Sequence, residues 1–285
     1  MPEPKAQADD RLGRFREIVS DPNNARIPRV EFAGMVMRDD RTGESTVVMH
    51  NGIRVLLGQH AYYDDFAQIL IINRGVHEPQ EEYAFGEVLK YVEPGLPMIE
   101  LGSYWAFYSL WYRKRFPGAP VFLAEPDEHN LQVGQRNFQL NGEAGEFIHQ
   151  GIGPGGLDVY GLVQERGIDR IGLLHADIQG AEAYLLASIA PLLVAQRVDY
   201  LFVSTHGQEL HCECLERLRQ FGYRKLAAAD FDNDTFAYDG LIVAASPRSR
   251  APTIELYSRA ANHRIETVGQ AARTAWSRFR LWGGN

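Results

Sequence analysis

Two acids, a glycine and a serine raise the first chemical question. The apolar run Met98-Ile99-Glu100-Leu101 ends in Gly102-Ser103, and a helical run opens directly behind it. A glycine at such a turn lets the backbone approach a ligand, and the start of a helix offers unpaired N–H groups. The next apolar run, Val121-Phe122-Leu123-Ala124, ends in Glu125. In a doubly wound sheet, an acid roughly 20 residues past the glycine turn can hold both hydroxyls of a ribose. Glu100, Gly102, Ser103 and Glu125 therefore read as a nucleoside-binding set. Two later apolar runs end in Asp177 and in Ser204-Thr205-His206. Histidine titrates near neutrality, so His206 reads as a candidate general base, with Asp177 orienting it or a reacting partner. His175 alternates to the side opposite Ala176 and ranks below His206. Gly151-Ile152-Gly153 closes a further run, and Ile152 is placed to cover the face of a base.

These residues need a scaffold, and the apolar periodicity supplies one. From residue 98 the chain alternates strands and helices: strand 98–101, helix 104–115, strand 121–125, helix 127–140, strand 146–149, helix 157–166, strand 171–174, helix 181–194, strand 199–203 and helix 209–221. Five βα units in succession predict a mainly parallel, doubly wound α/β sheet. The end departs from that pattern, since runs 224–229 and 236–245 follow one another without a helix and predict an antiparallel C-terminal hairpin, for seven strands in all. Upstream, residues 8–19 predict an amphipathic helix, and Asn51-Gly52 between two β-rich runs predicts a hairpin with a type I′ turn. Asp64 or Asp65 is placed to cap a helix through Ile72 that Gly75 closes, and Glu78 to Val92 reads as another helix. The division expected is an α+β N-terminal extension over 1–92, a Rossmann-like core over 93–250 and a helical tail over 251–285. That tail, with Arg259, Arg264, Arg273, Arg278 and Arg280, caps the pocket, joins a homo-oligomer or lies on the surface.

Composition narrows the function classes. A net charge of −8 over 285 residues opposes a phosphate-backbone partner and argues for no nucleic acid. No apolar run approaches the roughly 18 residues that span a bilayer, and the polar N-terminus lacks the apolar core of a signal peptide. A cytoplasmic protein with no membrane partner is expected. The two cysteines, Cys212 and Cys214, are too close for a comfortable bridge. Asp177, His206, His211, Cys212 and Cys214 include metal-ligand types, yet their spacing matches no zinc pattern. Cys214 falls on an apolar stripe with Leu210, Leu215, Leu218 and Phe221 and reads as core. No metal is expected, although a divalent ion that acidifies a hydroxyl is the alternative to keep in view.

Glu100-Leu101-Gly102-Ser103 resembles the first motif of class I S-adenosylmethionine (SAM) methyltransferases. Gly75-Val76-His77-Glu78-Pro79, Asn137-Phe138-Gln139-Leu140-Asn141-Gly142 and His175-Ala176-Asp177-Ile178-Gln179-Gly180-Ala181-Glu182 are more specific. The last is similar to the Asp-x-Glu-Gly-x-Glu signature of FkbM-type methyltransferases, and the likeness covers roughly residues 45 to 245. Two positions depart from the family: Ala106 stands for its second glycine and Gln179 for its usual glutamate. The resemblance implies SAM as cofactor, with S-adenosylhomocysteine as product. It implies a hydroxyl of a small polar or glycosylated metabolite as methyl acceptor. Glu100, Gly102, Ser103, Glu125 and Ile152 would hold the cofactor, with Glu78 and Asp177 near its methionine end. Tyr104 and Trp105 are placed to line the pocket. The readings that compete are a non-catalytic SAM-fold binding protein and an NAD-linked oxidoreductase; the terminal hairpin opposes the latter.

Overall fold

The computed structural model describes residues 5–38, 43–58, 67–250 and 252–262. Asp64, Asp65 and the tail beyond residue 262 lie outside them, so the helix cap and the helical tail expected there do too. The described chain opens with α1 (Lys5–Ser20) and a short 3-10 turn (Pro22–Arg26), then forms β1 (Val36–Arg38), β2 (Ser45–Val48) and β3 (Arg54–Leu57), α2 (Ala67–Ile72) and α3 (Pro79–Val88). The expected hairpin is β2–β3, but β1 joins it as a third antiparallel strand. Its turn is not type I′. Of Asn51-Gly52 only Gly52 has positive φ, at +82°, and its N–H closes a four-residue turn on the Met49 carbonyl at 2.8 Å.

The main sheet contains β4 (Met98–Leu101), β5 (Val121–Ala124), β6 (Glu146–Ile148), β7 (Ile171–Ala176), β8 (Val198–Thr205), β9 (Arg224–Ala229) and β10 (Gly240–Ala245). Its order is β6-β5-β4-β7-β8-β10-β9, with β10 antiparallel to both neighbours. This is the expected seven-stranded Rossmann-like sheet with a terminal antiparallel hairpin. The connecting helices are α4 (Phe107–Arg115), α5 (Glu128–Leu140), α6 (Val159–Glu165), α7 (Glu182–Ser188), α8 (Ala190–Val194) and α9 (Gln208–Gln220). The single helix expected over 181–194 is two, broken at Ile189, two residues before Pro191, whose ring nitrogen cannot donate. α4 starts at Phe107 rather than 104 because Tyr104 (φ 44°) and Ala106 (φ 64°) take left-handed conformations. β10 starts at Gly240 rather than 236.

Strand alternation sends successive side chains to opposite faces. Met98, Leu123, Leu173 and Phe202 pack with Phe85, Val88, Tyr112 and Phe138 on one face. Ile99, Leu101, Leu174 and Leu201 pack with Leu162, Leu185, Leu192 and Leu218 on the other. The first cluster continues into Ile18, Val47, Met49 and Val55, so the N-terminal elements are sealed onto the sheet by one shared apolar layer. Register decides what happens at the rim. Leu101 pairs with Ala124 and with Ala176, and Ala176 with Val203. The residues that follow, Gly102, Glu125, Asp177 and Ser204, thus stand side by side along the carboxyl edge. There, at the switch of strand order, open α/β sheets place their ligands. Antiparallel β10 adds one more: Gly240 pairs with Thr205, which sets Asp239 beside His206.

Candidate functional site

A cavity of about 700 Å³ opens at this edge, within the size range of small-molecule sites. Glu78, Glu100, Gly102, Ser103, Glu125, Ile152 and Asp177 all line it, as do Tyr104 and Trp105. The structure therefore brings together every cofactor-contact residue expected from the sequence.

Gly102 has a reason beyond ligand approach. Its φ is +73°, and a Cβ there would lie 1.7 Å from the Asp177 carbonyl oxygen, so β4 and β7 can leave the sheet together only over a bare glycine. The turn beyond it is fixed by Glu125, whose Oε2 accepts the Tyr104 N–H at 2.9 Å and whose Oε1 accepts the Asp127 N–H at 3.0 Å. Each carboxylate oxygen keeps a lone pair for a hydroxyl donor. Glu100 is buried and accepts the Ser109 N–H at 3.0 Å. Burial, only partly offset by His175 and that N–H, pushes its carboxyl up to about 7. Ser103 is buried on the same wall, and its hydroxyl has no hydrogen-bond partner among the described residues.

α3 supplies the opposite wall. Glu78 precedes the helix but makes no side-chain cap. Glu82 does that work: its Oε1 accepts the N–H groups of His77 (2.7 Å) and Glu78 (2.9 Å). Glu78 is left to face the cavity, where its Oε2 accepts the Tyr108 hydroxyl at 2.8 Å. The reading of the sequence missed Glu81. This buried acid lines the cavity, takes His175 Nε2 on Oε1 at 2.5 Å and accepts the Ser204 hydroxyl on Oε2 at 3.1 Å. His175, ranked low on strand alternation, also lines the cavity and stacks on Tyr108 with ring centroids 4.5 Å apart. The acids at 78, 81 and 82 crowd one helical turn, a pattern in the sequence that could have pointed to this wall.

His206 stands behind the wall rather than on it. Its Nδ1 is 3.1 Å from Glu182 Oε1, and its Nε2 is 3.2 Å from Asp177 Oδ1 and 3.3 Å from Asp239 Oδ1. Burial would lower its pKa, but these three carboxylates outweigh burial and raise it to about 10. Both ring nitrogens face carboxylates of the protein and the ring is no part of the cavity lining, so the geometry does not support His206 as the base that deprotonates an acceptor. Asp239, on a stretch read as strand, is a second residue that the sequence reading missed. His211 turns instead to the Thr205 hydroxyl (2.9 Å), Cys214 is core and Cys212 is exposed. Gln179, where the FkbM-type signature has glutamate, donates its amide N–H to Asp177 Oδ1 at 3.0 Å. Six carboxylates line the cavity, from Glu78, Glu81, Glu100, Glu125, Asp177 and Asp239, and no Lys or Arg among the described residues does.

No family model and no curated protein sequence matches the chain. Among solved structures it is similar to a ribosomal protein L11 methylase from Lactobacillus delbrueckii subsp. bulgaricus. That match has 15% identity and TM-score 0.42, over 61% of this chain and 81% of the other. A precorrin-6y C5,15-methyltransferase from Geobacter metallireducens GS-15 matches at 14% identity and TM-score 0.42, over 58% and 87%. The Pyrococcus abyssi tRNA (uracil-54, C5)-methyltransferase, solved with S-adenosyl-L-homocysteine, matches at 15% identity and TM-score 0.45, over 68% and 42%. Among the described residues no helix is long and apolar enough to cross a membrane.

Proposed function

We propose that the chain is a SAM-dependent methyltransferase that methylates a hydroxyl of a small polar acceptor. The observation that carries this reading is the alignment of Gly102, Glu125 and Asp177 along one sheet edge over a cavity of about 700 Å³. Glu125 is suited to the ribose hydroxyls, Ile152 to the adenine face, and Glu100 and Glu78 to the cationic α-amino end of the methionine. Binding supplies most of the catalysis, because the sulfonium is already electrophilic and the acceptor needs only alignment. The acceptor oxygen attacks the methyl carbon in line with the C–S bond. As the O–C bond forms, the C–S electron pair returns to sulfur, leaving S-adenosylhomocysteine. The hydroxyl proton passes to a carboxylate of the acidic wall. That wall also disfavours a phosphate-rich acceptor.

Calorimetric titration with SAM, S-adenosylhomocysteine and NAD tests the cofactor. Saturable binding of the first two and none of NAD is expected; binding of NAD alone would sink the proposal. Glu125→Ala is expected to lower SAM affinity about 10- to 100-fold, the usual worth of hydrogen bonds to a charged group. A thermal melt on the same sample checks that the Tyr104 turn has survived.

A further inference from the structure

We infer that Asp177, His206 and Asp239 form a binding site for one divalent cation, of the Mg²⁺ or Mn²⁺ type, in the cavity wall. One ligand atom from each lies within 4.8 Å of the others. His206 Nε2 stands 3.2 Å from Asp177 Oδ1 and 3.3 Å from Asp239 Oδ1. An ion with ligands at about 2.1 Å places neighbouring ligands roughly 3 Å apart, so the three atoms need little movement to close on one. Two carboxylates and one imidazole are a set that hard and borderline divalent ions accept.

His206 Nε2 is held between two carboxylates rather than against one. Nε2 is buried yet makes no well-directed hydrogen bond, although two carboxylates are within reach. The two carboxylates are nearly equidistant from it, at 3.2 and 3.3 Å. Glu182 orients the ring. It is fully buried, its Oε1 is fixed by the N–H groups of Ile178 and Gly180, both at 3.2 Å, and it takes His206 Nδ1 at 3.1 Å. A buried carboxylate on the far nitrogen is the usual support of a metal-bound imidazole, fixing its tautomer and aim. Three different segments deliver the ligands: the exit of β7, the exit of β8 and the entry of β10. Asp177 and Asp239 both line the cavity, so the remaining coordination positions open into it.

The consequence for catalysis rests on the methyl-transfer reading. An ion at this place binds an acceptor hydroxyl and lowers its pKa, which removes the need for a histidine base. Ion binding itself rests on geometry alone, and its test uses neither SAM nor an acceptor. Chelator-treated full-length protein is titrated with Mn²⁺, with free ion read by electron paramagnetic resonance. One ion per chain is expected, with ¹⁴N modulation from a bound imidazole in the pulsed spectrum of the unmutated protein. Asp239→Asn and His206→Gln should each weaken binding at least tenfold, and Glu182→Gln about tenfold through His206. Asp232→Asn, on the acidic hairpin loop, should leave it unchanged. Absence of saturable binding at millimolar Mn²⁺, lack of the ¹⁴N signal, or equal binding by Asp239→Asn would each overturn the site. If SAM fails to bind while Mn²⁺ does, the cofactor reading falls and the metal site stands.

Discussion

The molecule uses one device twice, around His77 and around His206. In each, a fully buried glutamate near the start of a helix reaches back over the preceding loop, accepts two backbone N–H groups on Oε1 and takes an imidazole Nδ1 on the same oxygen. Glu82 holds His77 at 2.6 Å and Glu182 holds His206 at 3.1 Å. The surroundings then diverge. His77 is wedged edge-on against Trp105 and Phe107, and Glu82 has a second imidazole, His50 Nε2, 3.0 Å from its other oxygen. His206 faces two carboxylates that border a cavity. The first cluster ties the N-terminal cap to the sheet through His50, while the His77 ring borders the cavity with its Nε2 3.4 Å from Glu78. The second brings ligand atoms together at an opening. The two rings thus differ on the far side, where His77 meets one carboxylate, Glu78, and His206 meets two, Asp177 and Asp239.

That contrast predicts separate consequences for mutation. Glu82→Gln should be the most damaging substitution, because it leaves two buried imidazoles without their carboxylate; breaking a buried pair in this way costs about 3–5 kcal/mol. Urea unfolding measures it, and a loss below about 1 kcal/mol would remove the distinction between the clusters. The pH profile sharpens the point. Burial would raise Glu82, but His77 and His50 outweigh it and hold the carboxyl far below the ordinary 4.5. Burial would lower His77, but Glu82 and Glu78 outweigh it and hold the imidazole above the ordinary 6.5. Stability from Glu82 is therefore in place above 4.5 and is lost as pH falls through its lowered folded value. Stability from His77 is in place below 6.5 and is lost as pH rises through its raised one. Unfolding free energies from about pH 5 to about pH 10 should fall on the alkaline side, and Glu82→Gln should flatten that arm.

Glu182→Gln comes next. It keeps the shape of the side chain but weakens three bonds to one oxygen, at a cost of about 1–3 kcal/mol in the same unfolding measurement. A loss equal to that of Glu82→Gln would mean that the second cluster also serves mainly to hold the fold.

Much of this arrangement was legible before any coordinates, and the limits have physical causes. The alternation of apolar runs from residue 98 onward identifies the sheet, because buried parallel strands leave little freedom in composition. Gly102, Glu125 and Asp177 could be placed because each ends such a run, and Glu100 because it is the one acid inside the first. Tyr104 and Ala106 could not be read as left-handed, since neither residue type favours that conformation; only the packing of Gly134 against Ala106 and the Tyr104 carbonyl shows how tightly the turn is held. Glu81 was missed because its partner, His175, lies on a strand far along the chain. Asp239 was missed because its role depends on the antiparallel register of β10, and the apolar run before Gly240 was read as strand. Had the pairing of Gly240 with Thr205 been inferred from the hairpin, Asp239 would have fallen beside His206.

Asp239→Asn should be the mildest change to the fold, and it gives the contrast its finest test. Asp239 caps no helix, and among the described residues the ion pair it makes is with the His206 ring, 3.3 Å away. Three other carboxylates, Asp177, Glu81 and Glu182, raise its carboxyl together with burial, which is the largest cause, and His206 only partly opposes them; it stands at about 7. A neutral amide relieves that crowding as much as it loses in attraction to the imidazole. Unfolding should shift by no more than about 0.5 kcal/mol, as at a site without a structural duty. A loss of several kcal/mol would show that Asp239 belongs with Glu82 as part of the scaffold. Near-neutral stability joined to lost Mn²⁺ binding is the outcome that separates the cluster around His206 from the one around His77.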